Sequence, residues 1–304
     1  MTEVPPAAKA GALALGVLAV SSSAVLIRLA DAPALTIAFW RCIGGSVALL
    51  PFALRARRAL PSLDRTQRWQ LIASGLLLAV HFALFITSVS FTTVASAVLF
   101  ATFSPLFVAV GATRFLGEPP SRRTWIGLGI SLVGAVVVAV GDIGDVRLGT
   151  RALLGDALEL ASAVAVTGYL LLGRAARQRL PNTVYASSVY GVAAMVLLPA
   201  SFVGGGRPVG HAGTTWLVLL AIVVGPQLLG HTVFNWLLSS LTATVVAVTV
   251  LAEPVGATVL AWLALDELPS GAFYVGAPLI LAGVFVAANV RARDETEEAA
   301  ATPP

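Results

Sequence analysis

Long apolar runs recur along the whole chain, each cut off by a short connection carrying Pro, Gly or charge. A bilayer core about 30 Å thick takes roughly 17–25 mainly apolar residues per helix. Stretches of that length lie at Ala10–Ala30, Leu35–Leu54, Trp69–Val89, Thr93–Leu116, Thr124–Val140, Ala152–Leu172, Val184–Val203, Trp216–Leu238, Thr242–Leu265 and Phe273–Val290. The runs are continuous, without the alternation of barrel strands, and so predict helices. The expected fold is an all-α membrane protein with ten transmembrane helices. The connections leave no room for a soluble domain. Near the start, Lys9, an apolar segment and Ser21-Ser22-Ser23-Ala24 have the outline of a cleaved leader, but the apolar run continues to Arg28, which favours a retained span. From Arg291 onward the chain is acidic and small-residue rich, and predicts a solvated, disordered cytoplasmic tail over 291–304.

Composition narrows the class. Of the 304 residues, 58% are apolar and 11% are charged, against a usual charged share of about 25%. Such a chain cannot cover a soluble globule with polar surface, so a cytosolic enzyme, a disordered protein and a disulfide scaffold are all poor readings. The single cysteine, Cys42, cannot form an intramolecular disulfide. The formal charge of +4 hints at nucleic acid until its distribution is read. With the N-terminus inside, Lys9, Arg55, Arg57, Arg58, Arg65, Arg68, Arg114, Arg122, Arg123, Arg174, Arg177, Arg179, Arg291 and Arg293 fall on the inner side. Only Arg28, Arg147, Arg151 and Arg207 fall outside, and Arg41 lies within a helix. Basic residues collect on the cytoplasmic side, so both termini are expected there. The positive charge marks orientation, and no nucleic-acid partner is expected.

A repeat organises the spans. Pro105 and Pro254 are 149 positions apart, and the same offset joins Glu118 to Glu267, Gly127 to Gly276 and Gly134 to Gly283. Two halves of five helices each follow, over residues 10–140 and 152–290. An odd number per half makes the second half enter the membrane from the opposite side, which is the inverted-topology plan of secondary transporters, with the substrate at the repeat interface. The first half carries FWRCIGGSVALLP, SPLF and FLGEPPSRRTWIGLGISLVGAVVV; the second carries LGDALELASAVAVTGYLLLGR, GHTVFNWLLSSL, LAEPVGA and ALDELPSGAFYVGAPLILAGVFVA. Jointly, and from about Gly11 to Asn289, these motifs resemble the EamA-type branch of the drug/metabolite transporter (DMT) superfamily. The resemblance implies a plasma-membrane carrier, usually an exporter of small metabolites, amino acids or drugs.

Polar and ionisable side chains at membrane depth are costly, which makes each a functional candidate. Glu253 directly precedes Pro254, which opens a helix by removing a donor and clashing with the preceding turn. Its carboxyl could hold a cation or a proton, or fix helix packing. His81 lies mid-helix, and imidazole changes charge near physiological pH. Gln227, His231 and Asn235 follow a Gly225-Pro226 break at helical spacing, a face polar enough to line a cavity or to join helices. Arg41 could clamp an anionic substrate or pair with Glu159, which lies at similar depth from the same side. Asp156 reads as complementing a helix dipole. Tyr169, Trp236 and Trp262 are either cavity walls or interfacial anchors. Glu118 and Glu267, at helix ends, read as caps or gating contacts. The glycine pairs, two turns apart, present flat faces for close helix approach, within the chain or in a homodimer.

The GxxxxGK phosphate loop, Cys/His metal spacing and the GxSxG elbow are all absent from the sequence. No cofactor and no enzymatic activity are expected. The main expectation is a secondary active exporter working by alternating access on a small-molecule substrate, with protons as the candidate coupling ion. Glu253, Glu159 and His81 are its proton-carrying candidates. An importer or exchanger of the same superfamily is the nearest alternative, and a channel or an intramembrane enzyme is remote.

Overall fold

The computed structural model describes residues 5–60, 62–91, 100–141 and 149–288. Among them every regular element is helical. In lipid this is dictated by hydrogen bonding, because a helix satisfies its own backbone where no water can. The elements are α1 Pro6–Leu29, α2 Ala34–Arg58, α3 Arg65–Val89, α4 Ser104–Leu116, α5 Arg122–Gly141, α6 Thr150–Arg177, α7 Asn182–Val203, α8 Gly213–Leu237, α9 Ala243–Leu265 and α10 Phe273–Ala288. Eight of these described helices are long and apolar enough to cross a membrane; Ser104–Leu116 and Phe273–Ala288 are shorter apolar helices. The expected start of the fourth span at Thr93 and the tail from Arg291 lie outside the described residues.

Local chemistry sets the ends. Asp64 caps α3 by accepting from the Gln67 amide at 2.7 Å, while the Gln67 side chain accepts from the Asp64 amide, a reciprocal capping box. Pro33 and Pro181 occupy the caps of α2 and α7. Two turns interrupt the helical course. Helical Phe100 and Ala101 give way to a turn at Thr102–Phe103 ahead of Ser104-Pro105, and α9 turns at Leu251–Ala252 ahead of Glu253-Pro254. The two turns are 149 positions apart. Both segments end alike: Gly117 has φ 66° and Asp266, at the matching position, has φ 56°. The following amides close the same bond, Glu118 N to Ala112 O at 3.1 Å and Glu267 N to Ala261 O at 3.4 Å.

The principal packing is α2 on α7 and α8, α3 on α6 and α7, α5 on α10, α1 on α8 and α9, and α4 on α6. Moving every helix five places along the chain returns the same set. The α5–α10 contact depends on glycine. A Cβ on Gly134 would sit 2.7 Å from the Gly276 carbonyl oxygen, and Gly127 lies equally tight against the Gly283 carbonyl and the Ala287 backbone. Ser131 donates to the Ile280 carbonyl between these crossings, at 3.1 Å. The flat glycine faces are therefore consumed inside the chain and are not left free for a second copy.

The periphery is apolar. Phe115, Phe52, Leu217, Met195 and Phe285 are each more than half exposed, as expected for side chains whose solvent is lipid. The interior holds the polar groups: Arg41, Glu159, Gln227, Asn235, Ser162 and Ser74 are buried.

Candidate functional site

One cavity lies at the level of the two interrupted helices. Its lining includes Ala101, Thr102, Ser104 and Pro105 from the first interruption and Leu251, Glu253 and Pro254 from the second. The first carbonyl of the helix that follows each break accepts from a hydroxyl on a neighbouring helix. Thr167 of α6 reaches the Ser104 carbonyl at 3.4 Å, and Ser21 of α1 donates to the Glu253 carbonyl at 3.2 Å. The cavity volume is about 120 Å³.

Around this space stand Arg41 from α2, His81 from α3, Glu159 and Tyr169 from α6, His231 and Asn235 from α8 and Glu253 from α9. Arg41 is buried, and its Nε donates to Gln227 Oε1 at 2.7 Å. A second guanidinium nitrogen lies 3.4 Å from Ser23 Oγ, and the group stacks 3.9 Å over the Phe82 ring, a cation–π contact. Among the described residues Arg41 forms no ion pair. The Arg41–Glu159 pair expected from depth is not made. Glu159 instead accepts from Ser88 Oγ of α3 at 2.8 Å.

The histidines meet. His81 and His231 have ring centroids 6.3 Å apart; His81 stacks on Phe85, and His231 stands edge-on to Phe82. His81 Nδ1 lies 2.8 Å from Ser162 Oγ, which fixes the ring against α6. Asn235 is held on both sides. Its Oδ1 accepts from Tyr169 Oη at 2.6 Å and its Nδ2 donates to Tyr190 Oη at 3.2 Å. Tyr190 Oη is 3.0 Å from Thr232 Oγ1, and that hydroxyl donates to the Gln227 carbonyl. A continuous polar chain thus runs from Tyr169 on the cavity wall to Gln227 behind Arg41.

Gln227 corrects its expected position. It does not line the cavity: it is fully buried and supports Arg41 from behind. The reason lies in α8, where Val223–His231 is π-helical around Pro226. The wider turn breaks the four-residue spacing, so Gln227 leaves the face shared by His231 and Asn235. Tyr169 is a cavity wall, whereas Trp262 lies on the periphery, 44% exposed, and Trp236 packs partly buried beside the core. The aromatic walls Phe82, Phe85 and Phe234 and the Ser104 position were not singled out from sequence. Only Ser104 had a signal, as the repeat counterpart of Glu253.

Beyond the cavity, Glu118 pairs with Arg174 at 2.8 Å and Glu267 pairs with Arg28. Arg174 also donates to the Leu238 carbonyl at 2.8 Å, tying the end of α4 to α6 and α8.

A bundle of lipid-length helices around a mainly apolar cavity that holds a few buried ionisable groups fits a multi-pass membrane protein. The EamA-like transporter family matches residues 9–140 and again 153–289, and the chain belongs to that family, within the DMT superfamily. It is 26% identical over 211 residues to an uncharacterized transporter of Synechocystis sp., covering 67% of this chain and 61% of that protein's length. It is 24% identical to the uncharacterized transporter YwfM of Bacillus subtilis, covering 86% of each chain. An uncharacterized transporter of Archaeoglobus fulgidus is 25% identical, covering 90% of this chain and 95% of its own. The crystal structure of another protein superposes with a TM-score of 0.77 at 21% identity, over 95% of this chain and 99% of its own, a likeness of fold.

Proposed function

We propose that this chain is a secondary active transporter that exports a small organic molecule across the plasma membrane by alternating access. The observation that carries the reading is the pair of proline-marked helix breaks, 149 positions apart, that face a single cavity. Interrupted helices at membrane depth present free backbone and side-chain groups to a substrate, and a repeat interface can rock about it. Ten spans in two inverted five-helix halves account for the packing that returns when every helix moves five places. They also account for the matching left-handed ends at Gly117 and Asp266. In this topology both termini are cytoplasmic, a placement that the distribution of basic residues supports.

Glu253, Glu159, His81, His231, Asn235 and Arg41 form the substrate and coupling site, with Gln227 as a positioning residue for Arg41. Protons are the coupling ion, carried by the carboxyls. The direction of transport rests on the family resemblance, and net efflux from loaded, energised vesicles against uptake tests it.

The purified protein in liposomes tests the class. A carrier shows saturable movement of labelled substrate that is accelerated by unlabelled substrate on the opposite side. Conductance without that acceleration would identify a channel and contradict the reading.

A further inference from the structure

We infer that Arg177 is a positioning residue and a second partner for Glu118, and that the exchange of Arg174 for Arg177, one helical turn further along α6, opens the cavity toward the cytoplasm. The inference rests on the alternating-access reading and adds the residue that governs the inner side of its site. Three observations carry it.

The first is the repeat. The offset of 149 that joins Glu118 to Glu267 also joins Arg28 to Arg177. Glu267 pairs with Arg28, so the image of that pair in the other half is Glu118 on Arg177. Glu118 is found instead on Arg174, whose counterpart on α1 is Val25. The two carboxylates thus occupy registers one turn apart on equivalent helices. When inverted halves rock about a site, each takes up the arrangement of the other. The reverse state then has Glu118 on Arg177. One-turn steps between packed helices are an established form of switching.

The second is the condition of the two groups. Arg177 is buried, and its hydrogen bonds go to neutral carbonyls: its Nε donates to the Asn235 carbonyl at 2.9 Å, and an Nη donates to the Leu180 carbonyl. Among the described residues no carboxylate pairs with it. A buried guanidinium on neutral acceptors is poorly compensated, and a carboxylate would hold it more strongly. Glu118 offers the matching acceptor. Arg174 contacts its Oε1 through two nitrogens, while its Oε2 is buried without a hydrogen-bond partner among the described residues.

The third is what Arg177 holds. The Asn235 side chain lines the cavity, and its backbone carbonyl is the one that Arg177 grips. Arg174 and Gln178 donate to the Leu238 carbonyl, and Asn182 donates to the Thr232 carbonyl. These side chains fasten the inner end of α8 to α6 and α7. Turning Arg177 to Glu118 releases the Asn235 carbonyl, so a step at the ion pair reaches the cavity wall.

The thiol of Val250→Cys in a Cys42→Ala background reports opening to the cytoplasm, read in oriented vesicles with a membrane-impermeant maleimide. Arg174→Gln removes only the present partner and is expected to raise the cytoplasmic labelling rate roughly fivefold, and Arg177→Gln to lower it by a similar factor. Arg177→Lys, which keeps the charge, is expected to stay closer to the parent than Arg177→Gln. Adding Glu118→Gln to Arg174→Gln is expected to remove the gain, because no carboxylate then remains to take Arg177. That double variant keeps Arg177, so it tests the inference even where Arg177→Gln fails to fold. Arg177→Gln raising the rate as Arg174→Gln does, or a gain that survives Glu118→Gln, overturns the inference. Labelling of the parent from both sides would then leave the transporter reading standing. Labelling of the parent from one side only, under every gradient condition, would remove that reading as well.

Discussion

At Arg41 the structure resolves a choice that residue types alone leave open. Depth along a helix can be counted from sequence, and Arg41 and Glu159 sit at similar depth. Which helices touch cannot be counted, because α2 lies on α7 while Glu159 on α6 faces Ser88 of α3. Gln227 therefore supplies the acceptor. Its replacement by Leu leaves a buried charged donor short of one bond, a loss of about 1.5–3 kcal/mol. Gln227→Leu is expected to lower the thermal unfolding midpoint in detergent and to weaken substrate binding; an unchanged midpoint and affinity would remove its positioning role. Glu253, by contrast, was legible, because Pro254 beside a carboxyl in an apolar run marks both a helix break and a costly group. Glu253→Gln is expected to abolish the response of transport to an imposed proton gradient. If the variant responds to the gradient as the parent does, Glu253 is not the coupling group. The aromatic walls were not legible: Phe82, Phe85 and Phe234 differ from lipid-facing phenylalanines only in where the bundle turns them.

Among the helices, existence was easy to read and register was not. Continuous apolar runs between charged connections mark α1–α3 and α5–α10 to within a few residues, since the bilayer fixes their length. The π-helical turn at Val223–His231 was visible only as a break at Pro226, and its rotation of Gln227 needs the coordinates. The glycine spacing in α5 and α10 announced a close approach, but not that the partner is the other glycine helix. That contact can be tested by one methyl group. A Cβ on Gly134 would meet the Gly276 carbonyl oxygen at 2.7 Å, whereas a Cβ on Gly129, in the same helix, meets nothing within 4 Å. Gly134→Ala is expected to cost about 1–3 kcal/mol by overpacking and Gly129→Ala to be nearly neutral. Equal thermal stability of the two variants would contradict the packing described.

For the molecule as a whole, Glu118 and Glu267, 149 positions apart, are each held in an ion pair. Glu118–Arg174 is the more enclosed, with side chains 23% and 12% exposed, and Glu267–Arg28 is more open, at 50% and 37%. Exposed pairs contribute roughly 0–1 kcal/mol, so Glu118→Gln is expected to lower thermal stability more than Glu267→Gln does. The reverse order would show that exposure does not govern these ties. Both carboxylates sit one residue past a left-handed helix end, and the offset that relates them also relates the breaks, the prolines and the crossing glycines. Such agreement is what the proposed arrangement of two opposed halves around one site predicts.

Alternating access is the central claim, and the lone cysteine makes it directly testable. In a Cys42→Ala background, Val250→Cys places one thiol on the cavity wall. In oriented vesicles the account predicts that a membrane-impermeant thiol reagent labels this position from either side, and that substrate shifts labelling between the sides. Labelling from one side only, under every substrate and gradient condition, would contradict it.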